Sequence, residues 1–243
     1  MKNKNLIFVP VFNNQLQIDK ILEDLKQLDP SKFDTLLIID NNSSDSTFKI
    51  IENKKHNFKY KLHLIKNKKN IGLGGSFKVA INYALNNKFD YIFHYHGNSM
   101  NSISDLLKIL NEEDVYSNLD FYFGSRFEKK SVVENYSKIK ILGNLIFNFI
   151  FSFFLKTKLT DLGGSINVFK VSNFINRFFL NFSNDLTFQY YIILYAAHYK
   201  KNYKFFPLKI KINHKSNVVA LKHIISMIKI ITIYCIKKEK FFK

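Results

Sequence analysis

Short apolar runs alternate with amphipathic segments along the first half of the chain. The runs begin at Leu6, Leu36, Tyr60 and Tyr91, and the segment after each run carries apolar residues at helical spacing. Short continuous apolar runs are typical of strands that a parallel sheet buries on both faces. The pattern therefore predicts a strand followed by a helix, repeated along the first half of the chain, and a parallel sheet built from these units.

The second half of the chain has a less regular pattern. A strand is predicted at 121–123, a long apolar helix at 139–155, a strand at 166–169, a helix at 186–199 and an alternating segment at 205–212. This mixture predicts antiparallel elements added to the sheet. The predicted fold class is α/β, with a mostly parallel, Rossmann-like central sheet flanked by helices.

The predicted domain organisation is simple. The chain has 243 residues and is 47% hydrophobic, which is enough for one large core. We expect residues 1–217 to form a single domain and residues 218–243 to form a basic amphipathic helix that suits a membrane surface. The apolar run Leu6–Phe12 contains Pro10 and lacks a small-residue cleavage site, so it is interpreted as a buried strand and not as a signal peptide.

The charge of the chain points to an anionic partner. A formal net charge of +18 favours a membrane surface, a nucleic acid or a phosphorylated ligand. Nearly all the cations are lysine, and asparagine, isoleucine, phenylalanine and tyrosine are abundant, which an AT-biased genome produces without selection for binding. Both interpretations stay open. The single cysteine, Cys235, excludes a disulfide framework and a cysteine-rich metal site, and fits a reducing compartment.

Two apolar segments, 139–155 and 218–236, approach the length of a transmembrane helix. A spanning helix has about 20 mostly apolar residues without charges. We expect both segments to lie at an interface or against the core and not to span a membrane, because each contains charged or amide side chains. These are Lys140, Asn144, Asn148, Lys222, His223 and Lys229.

Polar residues follow two of the predicted strands and offer candidate binding groups. Asp40 directly follows a strand, where a carboxylate can accept hydrogen bonds from a base or a ribose; alternatively it forms only a local turn that caps the next helix. Asn70–Ser76 is glycine-rich and opens a helix, so its N–H groups could bind a phosphate, or its glycines could form only a tight turn. The loop is neither a dinucleotide fingerprint nor a Walker loop.

Two histidines occupy the fourth predicted strand. His94 and His96 are one residue apart, so on a strand both point to the same face. Two imidazoles could bind a transition metal, but buried histidines with satisfied hydrogen bonds are commoner. No carboxylate follows until Asp105, and a dedicated zinc site is therefore not favoured.

Four segments, in this order, resemble the family 2 glycosyltransferases of the GT-A fold. They are Val9–Asn14, Ile39–Thr47, Asn70–Gly75 and Gly124–Phe127. The chain looks most like the dolichyl-phosphate mannosyltransferase-like branch, and the resemblance covers residues 5–217. It implies transfer of a sugar from a nucleotide diphosphate to an acceptor. A metal ion or a fixed cation would stabilise the negative charge on the departing diphosphate.

The resemblance also implies a set of site residues. Arg126 would lie near the pyrophosphate or the acceptor phosphate. Asp161 would be the catalytic or acceptor-orienting carboxylate, unless it only forms the turn before Gly163 and Gly164. The implied nucleotide-binding residues are Pro10, Phe12, Asn14, Asp40, Asn70, Gly72, Gly75 and Gly97.

The chain departs from the family at the D-x-D motif, whose two aspartates usually hold Mn²⁺ or Mg²⁺. His96, Gly97 and Asn98 stand at that position; the alternative register, His94 to His96, fits the following helix less well. Hard cations prefer charged oxygen, so we expect weak metal affinity at His96 and Asn98. His96 could bind Mn²⁺ or, when protonated, neutralise the diphosphate, and a metal-independent reaction is the alternative.

The sequence therefore predicts a glycosyltransferase with a UDP- or GDP-linked donor and a lipid-phosphate or glycan acceptor, active in cell-surface polysaccharide or glycolipid assembly. We expect a cytoplasmic location, peripheral to the inner face of the cell membrane, and no nucleic-acid partner. The alternative is a non-catalytic GT-A relative that binds a nucleotide or acts as a scaffold. A nucleotidyltransferase fits less well, because no glycine-rich, lysine-bearing loop follows the first strand.

Overall fold

A seven-stranded sheet with the order β3-β2-β1-β4-β7-β5-β8 forms the centre of the fold, and β6 and β9 pair in a separate ribbon. The computed structural model describes residues 3–97, 101–212, 220–236 and 241–242. The strands are β1 Asn5–Val11, β2 Thr35–Asp40, β3 Leu62–Lys66, β4 Tyr91–Tyr95, β5 Phe121–Ser125, β6 Val132–Glu134, β7 Ile166–Lys170, β8 Tyr203–Pro207 and β9 Lys209–Lys211. The helices are α1 Ile18–Lys26, α2 Thr47–Lys54, α3 Gly72–Asn86, α4 Ile103–Leu110, α5 Glu113–Ser117, α6 Lys138–Leu155, α7 Phe188–His198 and α8 Ala220–Ile236.

The sheet is mostly parallel. Strands β3, β2, β1 and β4 run parallel to one another, β7 lies antiparallel between β4 and β5, and β8 pairs in parallel with β5. The predicted α/β class, with a parallel centre and antiparallel additions, is confirmed. The chain moves outward from β1 to β2 and β3, and then returns to place β4 on the other side of β1. In open α/β sheets, ligands bind outside the carboxyl ends of the strands at such a reversal, which here lies between β1 and β4.

Both faces of the sheet are buried, which is why its strands read as continuous apolar runs. Alternate residues of β1 enter two different core layers: Leu6 and Phe8 face one layer, and Ile7 and Val9 face the other. The first layer is completed by apolar residues of α3, α7 and α8, and the second by those of α1 and α4. Each predicted strand is therefore held in register by two cores at once.

Two sequence predictions need correction at the element boundaries. The alternating segment 205–212 is not one strand, because the chain leaves the main sheet after Pro207 and β9 pairs in parallel with β6. The third strand begins at Leu62 and not at Tyr60. The Tyr60 hydroxyl instead donates to the Leu25 carbonyl at 2.6 Å, and its ring packs against Phe33.

The predicted terminal helix lies partly in the described region. Helix α8 buries Met227, Ile230 and Tyr234 in the first core layer. It packs beside α6, so it belongs to the same folded body as the sheet. The division of the chain after residue 217 stays a prediction, because residues 213–219 lie outside the described ones.

Two helical glycines give a matched test of this packing. A Cβ on Gly74 in α3 would lie 2.5 Å from the Ser183 carbonyl oxygen, whereas a Cβ on Gly143 in α6 would have nothing within 4 Å. Both substitutions by alanine relieve the same helix-propensity cost, about 0.5–1 kcal/mol. We expect Gly143→Ala to raise the free energy of unfolding by about that amount. Gly74→Ala should lower it by about 1–3 kcal/mol, because overpacking outweighs propensity. Urea denaturation of both variants measures the difference, and equal shifts would contradict this packing.

Candidate active site

The ends of β1 and β4 are joined by one asparagine, Asn14. Its side-chain Nδ2 donates a hydrogen bond to the Gly97 carbonyl, and its backbone N–H donates to Thr47 Oγ1 at 2.7 Å. Gly97 is required at this place, because a Cβ there would lie 2.5 Å from the Pro10 carbonyl oxygen. Pro10 is buried within β1, and Phe12 is exposed just beyond the strand end. Pro10, Phe12 and Gly97 therefore lie around the strand ends at the reversal of strand order. Asn14 links these ends, and the sequence singled out all four residues.

Asp40 lies at the end of β2 and is completely buried. Both of its carboxylate oxygens accept the Ser43 N–H, and one also accepts the Ser43 hydroxyl. These contacts satisfy the buried charge within its own turn. In this conformation Asp40 shapes the loop before α2, and its pairing with a base stays a prediction.

A network of three asparagine side chains joins the loop after β2 to the loop after β3. Sequence analysis did not single out these asparagines as a group. The Asn41 amide donates to Asn70 Oδ1 at 2.8 Å, and Asn41 Oδ1 accepts from the Asn67 amide at 3.0 Å and from the Ile71 N–H at 3.0 Å. Buried amides are satisfied by one another and by the backbone. Asn41 and Asn67 are buried and Asn70 is exposed. The sequence singled out Asn70 but not its two partners, because nothing in the spacing separates Asn41 and Asn67 from the many other asparagines.

The glycine-rich turn packs against another part of the chain and does not face the crevice with free N–H groups. Gly74 N donates to the Asp185 carbonyl at 3.2 Å, and Gly75 N donates to the Asn184 carbonyl at 3.1 Å. Gly72 has a φ of +75°, and a Cβ there would lie 2.2 Å from the Asn184 carbonyl oxygen. The Gly74 and Gly75 N–H groups are therefore already occupied by backbone carbonyls, and nucleotide binding at Asn70, Gly72 and Gly75 stays a prediction. The N–H groups are occupied because residues 183–185 approach the turn closely.

His94 and His96 differ in their surroundings. His94 is buried between Phe8 and Phe77, and its Nδ1 lies 3.2 Å from the Asn167 amide nitrogen. His96 is half-buried at the strand end, where its backbone N–H donates to the Ser165 carbonyl at 3.1 Å and the Asn101 amide donates to its carbonyl at 3.2 Å. Burial lowers the pKa of His94 well below its ordinary value, and it lowers the pKa of His96 to about 4. Both imidazoles are neutral at physiological pH.

A buried ion pair lies beyond the end of β5. The Arg126 guanidinium donates to Asp161 from Nε and Nη2, each at 2.7 Å, and the Arg126 backbone N–H donates to the same carboxylate at 2.8 Å. The Gly163 N–H supplies a fourth hydrogen bond at 2.8 Å. Asp161 has no exposed side-chain surface and Arg126 keeps 14%. Burial opposes the charged guanidinium, but the attraction of Asp161 outweighs it and raises the pKa of Arg126.

The exposed side of this pair is held by α6 and the segment before it. Arg126 Nη1 donates to the Tyr136 hydroxyl at 3.0 Å, and Nη2 lies 3.4 Å from Asn144 Oδ1. The Asn144 amide also donates to Tyr136 at 2.9 Å. The guanidinium is therefore fixed on two sides, and only part of its edge can meet a ligand.

The relation of this chain to known proteins follows from its sequence as well as its fold. The model of the family described as glycosyl transferase family 2 matches residues 6–178. The chain belongs to glycosyl transferase family 2. The matched region includes the ends of β1, β2 and β4 and the Arg126–Asp161 pair.

Two relatives have similar sequences. An uncharacterized protein of Methanocaldococcus jannaschii is 33% identical over 123 residues, which are 50% of this chain and 51% of that protein. The chain thus spans about half the length of that relative. A UDP-N-acetylglucosamine–dolichyl-phosphate N-acetylglucosaminyltransferase of Methanococcus voltae is 22% identical over 177 residues, which are 68% of this chain and 69% of that enzyme.

Solved structures of low sequence identity share the fold. S. aureus TarS in complex with UDP-GlcNAc aligns with a TM-score of 0.61 at 14% identity and covers 96% of this chain and 67% of its own. Glucosyl-3-phosphoglycerate synthase of Mycobacterium tuberculosis, with Mn²⁺, UDP and glucosyl-3-phosphoglycerate, has a TM-score of 0.63 at 9% identity over 95% of this chain and 77% of its own. A Pyrobaculum calidifontis mannosyltransferase with GDP-Man and Mn²⁺ has a TM-score of 0.57 at 13% identity over 89% and 59%.

The residues that the sequence aligns with the metal-binding position of the family lie only partly in the described part of the chain, and their metal affinity stays a prediction. His96 and Gly97 stand at the end of β4, and Asn98 lies outside the described residues. Across the described ranges, no three histidine, cysteine, aspartate or glutamate side chains are grouped as a metal site. A neutral imidazole suits Mn²⁺ better than Mg²⁺. The protonated form of His96, considered as a diphosphate-binding group, is disfavoured at neutral pH because burial opposes the charge.

The pKa of His96 predicts how stability changes with pH. An unfolded histidine has a pKa of about 6.5, so between about pH 6.5 and 4 the unfolded chain binds a proton that folded His96 rejects. Burial of neutral His96 therefore costs no stability above about pH 6.5, where the unfolded histidine is neutral too. As the pH falls from about 6.5 toward 4, the free energy of unfolding decreases. We expect His96 to account for about 2 kcal/mol of the loss of unfolding free energy between pH ~6.5 and ~5. Urea denaturation should show a flatter pH dependence for His96→Gln. The exposed control Asn57→Gln removes no titratable group and should keep the wild-type slope. A slope for His96→Gln identical to that of the control would contradict the lowered pKa of His96.

The Arg126–Asp161 pair should be strongly coupled. Asp161→Leu leaves the guanidinium charge buried without a partner, and we expect it to lower the free energy of unfolding by about 3–5 kcal/mol. Arg126→Met in the same chain should recover part of the loss, because the unpaired charge is removed. The exposed pair Lys204–Asp114, at 2.9 Å, is the matched control, and Asp114→Asn should cost less than about 1 kcal/mol. A double-mutant cycle by chemical denaturation measures the coupling; additive effects at Arg126 and Asp161 would contradict it.

Proposed function

We propose that this protein transfers a sugar from a UDP- or GDP-linked donor to a lipid-phosphate or glycan acceptor, in cell-surface polysaccharide or glycolipid assembly. The family membership supports sugar transfer, and the donor and acceptor are the finer part of the proposal. We place the protein on the cytoplasmic side of the cell membrane, attached to its inner face.

One observation carries the proposal: the reversal of strand order between β1 and β4, with polar residues at both strand ends. Open α/β sheets bind ligands in the crevice outside the carboxyl ends of the strands at such a point. Here Asn14 joins Gly97 to Thr47 across that crevice, and the exposed Phe12 ring stands at its border. An aromatic ring, an amide and backbone groups can hold a nucleoside without any charged side chain.

The chemistry of the step gives Arg126 a place in the proposal. An anionic oxygen of the lipid phosphate, which carries no proton, attacks the anomeric carbon as the bond to the diphosphate breaks, and the departing diphosphate takes the negative charge. A fixed donor aimed at that charge lowers the barrier. Arg126 is rigid, permanently charged and partly exposed, whereas Asp161 already accepts four hydrogen bonds from Arg126 and Gly163. We therefore assign the pair to phosphate positioning and propose that Asp161 acts by holding Arg126.

The acceptor is proposed from a relative and from charge. The name of the Methanococcus voltae relative combines a UDP-sugar donor with a dolichyl-phosphate acceptor. The present chain carries a net charge of +18, which suits an anionic lipid surface. This supports the dolichyl-phosphate-like branch that the sequence motifs resemble. A glycan acceptor remains the second possibility within the same reaction class.

A non-catalytic, nucleotide-binding relative is the second candidate. It is favoured by the absence of a carboxylate at His96 and by the saturation of Asp161 with hydrogen bonds from its neighbours. The two candidates share the crevice and differ in turnover. Nucleotide binding followed by an assay for release of the nucleotide diphosphate from the donor separates them.

Calorimetry of UDP and GDP binding, each with Mn²⁺, with Mg²⁺ and with EDTA, tests the proposal. We expect one nucleotide to bind, and Asn14→Ala to weaken that binding by about tenfold because the link between Asn14 and Gly97 is lost. The exposed Asn53→Ala is the matched control and should bind as the wild type does. Circular dichroism checks that both variants are folded. Binding that survives EDTA would indicate a metal-independent site, and absence of binding to either nucleotide would overturn the proposal.

A further inference from the structure

Helix α6 turns its polar side toward the protein. Asn144, Asn148 and Ser152 are spaced four residues apart on one side of the helix. Each forms a hydrogen bond with a residue outside α6. Asn148 Nδ2 donates to the Thr160 carbonyl at 2.6 Å, and Ser152 Oγ accepts the Leu159 N–H at 2.9 Å. Asn144 contacts Arg126 and Tyr136, as described above. The polar side chains of α6 therefore form their hydrogen bonds within the protein.

The opposite side of α6 is apolar and exposed. Ile139 is 83% exposed, Phe149 71% and Phe153 70%, although these residues are large and hydrophobic. We call this surface the docking face; it consists of Ile139, Leu142, Leu145, Ile146, Phe149, Phe153 and Phe154. A surface helix of a globular protein in water has the reverse arrangement, with its apolar side toward the core. Large exposed apolar patches mark interaction sites.

Lysines at both ends of α6 indicate the chemistry of the partner. Lys138 and Lys140 are exposed at its amino end, and Lys156 and Lys158 are exposed just beyond its carboxyl end. None of the four forms an ion pair with an acidic side chain of the described residues. An apolar centre between two groups of cations matches the boundary between acyl chains and anionic headgroups. Lysine stems can extend their charges to that boundary while the apolar side chains enter it.

The neighbouring helix continues this character. Helix α8 packs beside α6 and exposes Ile225 and Ile228, each more than half, next to the exposed Lys229. Two adjacent helices with exposed isoleucine and phenylalanine and with nearby lysines favour a lipid surface over a compact protein partner, whose interface core would exclude lysine.

We infer that the docking face of α6 binds an anionic lipid bilayer, with the helix lying in the plane of the interface. The inference rests on one part of the proposed function, namely that the acceptor is carried by a membrane. By length and composition alone α6 could span a membrane, with 18 residues and a mean hydropathy of 1.5. The hydrogen bonds of Asn148 and Ser152 instead hold it along the domain. Docking then places Arg126, which α6 contacts through Asn144, beside the headgroup layer that would present a lipid phosphate.

Bilayer insertion at Phe149 is the direct test. Cys235 is the only cysteine, so Phe149→Cys in a Cys235→Ser chain can carry a single environment-sensitive dye. The matched position is Ile175→Cys, which is 66% exposed and lies off α6. With vesicles of phosphatidylcholine and phosphatidylglycerol, we expect brominated lipid to quench the dye at 149 and not at 175. Quenching at neither site, or equally at both, would overturn the inference, since adsorption by net charge alone does not insert one chosen face.

Vesicle co-sedimentation supplies the second measurement. Phe149→Ser with Phe153→Ser should lower the partition coefficient by at least about tenfold, because two large apolar side chains no longer enter the bilayer. The control, Leu16→Ser with Ile175→Ser, removes two apolar residues that are 86% and 66% exposed and lie off α6, and it should leave partition unchanged. Light scattering without lipid tests a second copy as the occupant. A dimer that Phe149→Ser with Phe153→Ser dissociates would overturn the inference. Nucleotide binding by the same variants is measured separately, so a failure of docking is distinguishable from a failure of the proposed function.

Discussion

The buried contact between Arg126 and Asp161 links the loop after β5 to the turn before β7, beyond the ends of these paired strands, and Asn144 extends the link to α6. Arg126 follows β5 and Asp161 opens the turn that leads into β7, and α6 lies in sequence between them. A carboxylate with no exposed surface must have its charge and its lone pairs satisfied. Asp161 meets this requirement with hydrogen bonds from Arg126 and Gly163, so the turn, the end of β5 and the anchoring side of α6 are fixed relative to one another.

The same requirement shapes the other half of the crevice, with amides in place of charges. Asp40 is satisfied by Ser43, and Asn41, Asn67 and Asn70 satisfy one another and the backbone. Loops beyond strand ends hold polar backbone groups that water does not reach, and amide side chains supply both donors and acceptors there. A nucleotide-sized ligand would therefore meet a rigid border, closed by Asn14, without a concentration of negative charge.

The two ends of the candidate site face different environments. The crevice between β1 and β4 opens among short polar side chains, whereas the Arg126–Asp161 pair lies against a helix whose outer side is apolar. This difference is what the proposed function requires, because its water-soluble donor and its proposed lipid-borne acceptor would arrive from different phases. The Ser165 carbonyl, which accepts from the His96 N–H, is four residues from Asp161 and connects the two ends through a single turn.

The sequence by itself determined the parallel centre of the sheet, the helices and the family, because buried strands and helices leave local periodicities and the motifs at strand ends stand in a fixed order. It also placed Asn14, Gly97, Arg126 and Asp161 among the candidate residues. Only the tertiary structure decided what the glycine turn contacts, that Asp161 has no free oxygen, and which side of α6 faces outward. Gly74 meets Asp185, and Arg126 meets Asp161, across long stretches of chain. Such contacts depend on how segments that are distant in sequence pack together, and a local sequence pattern does not predict that packing.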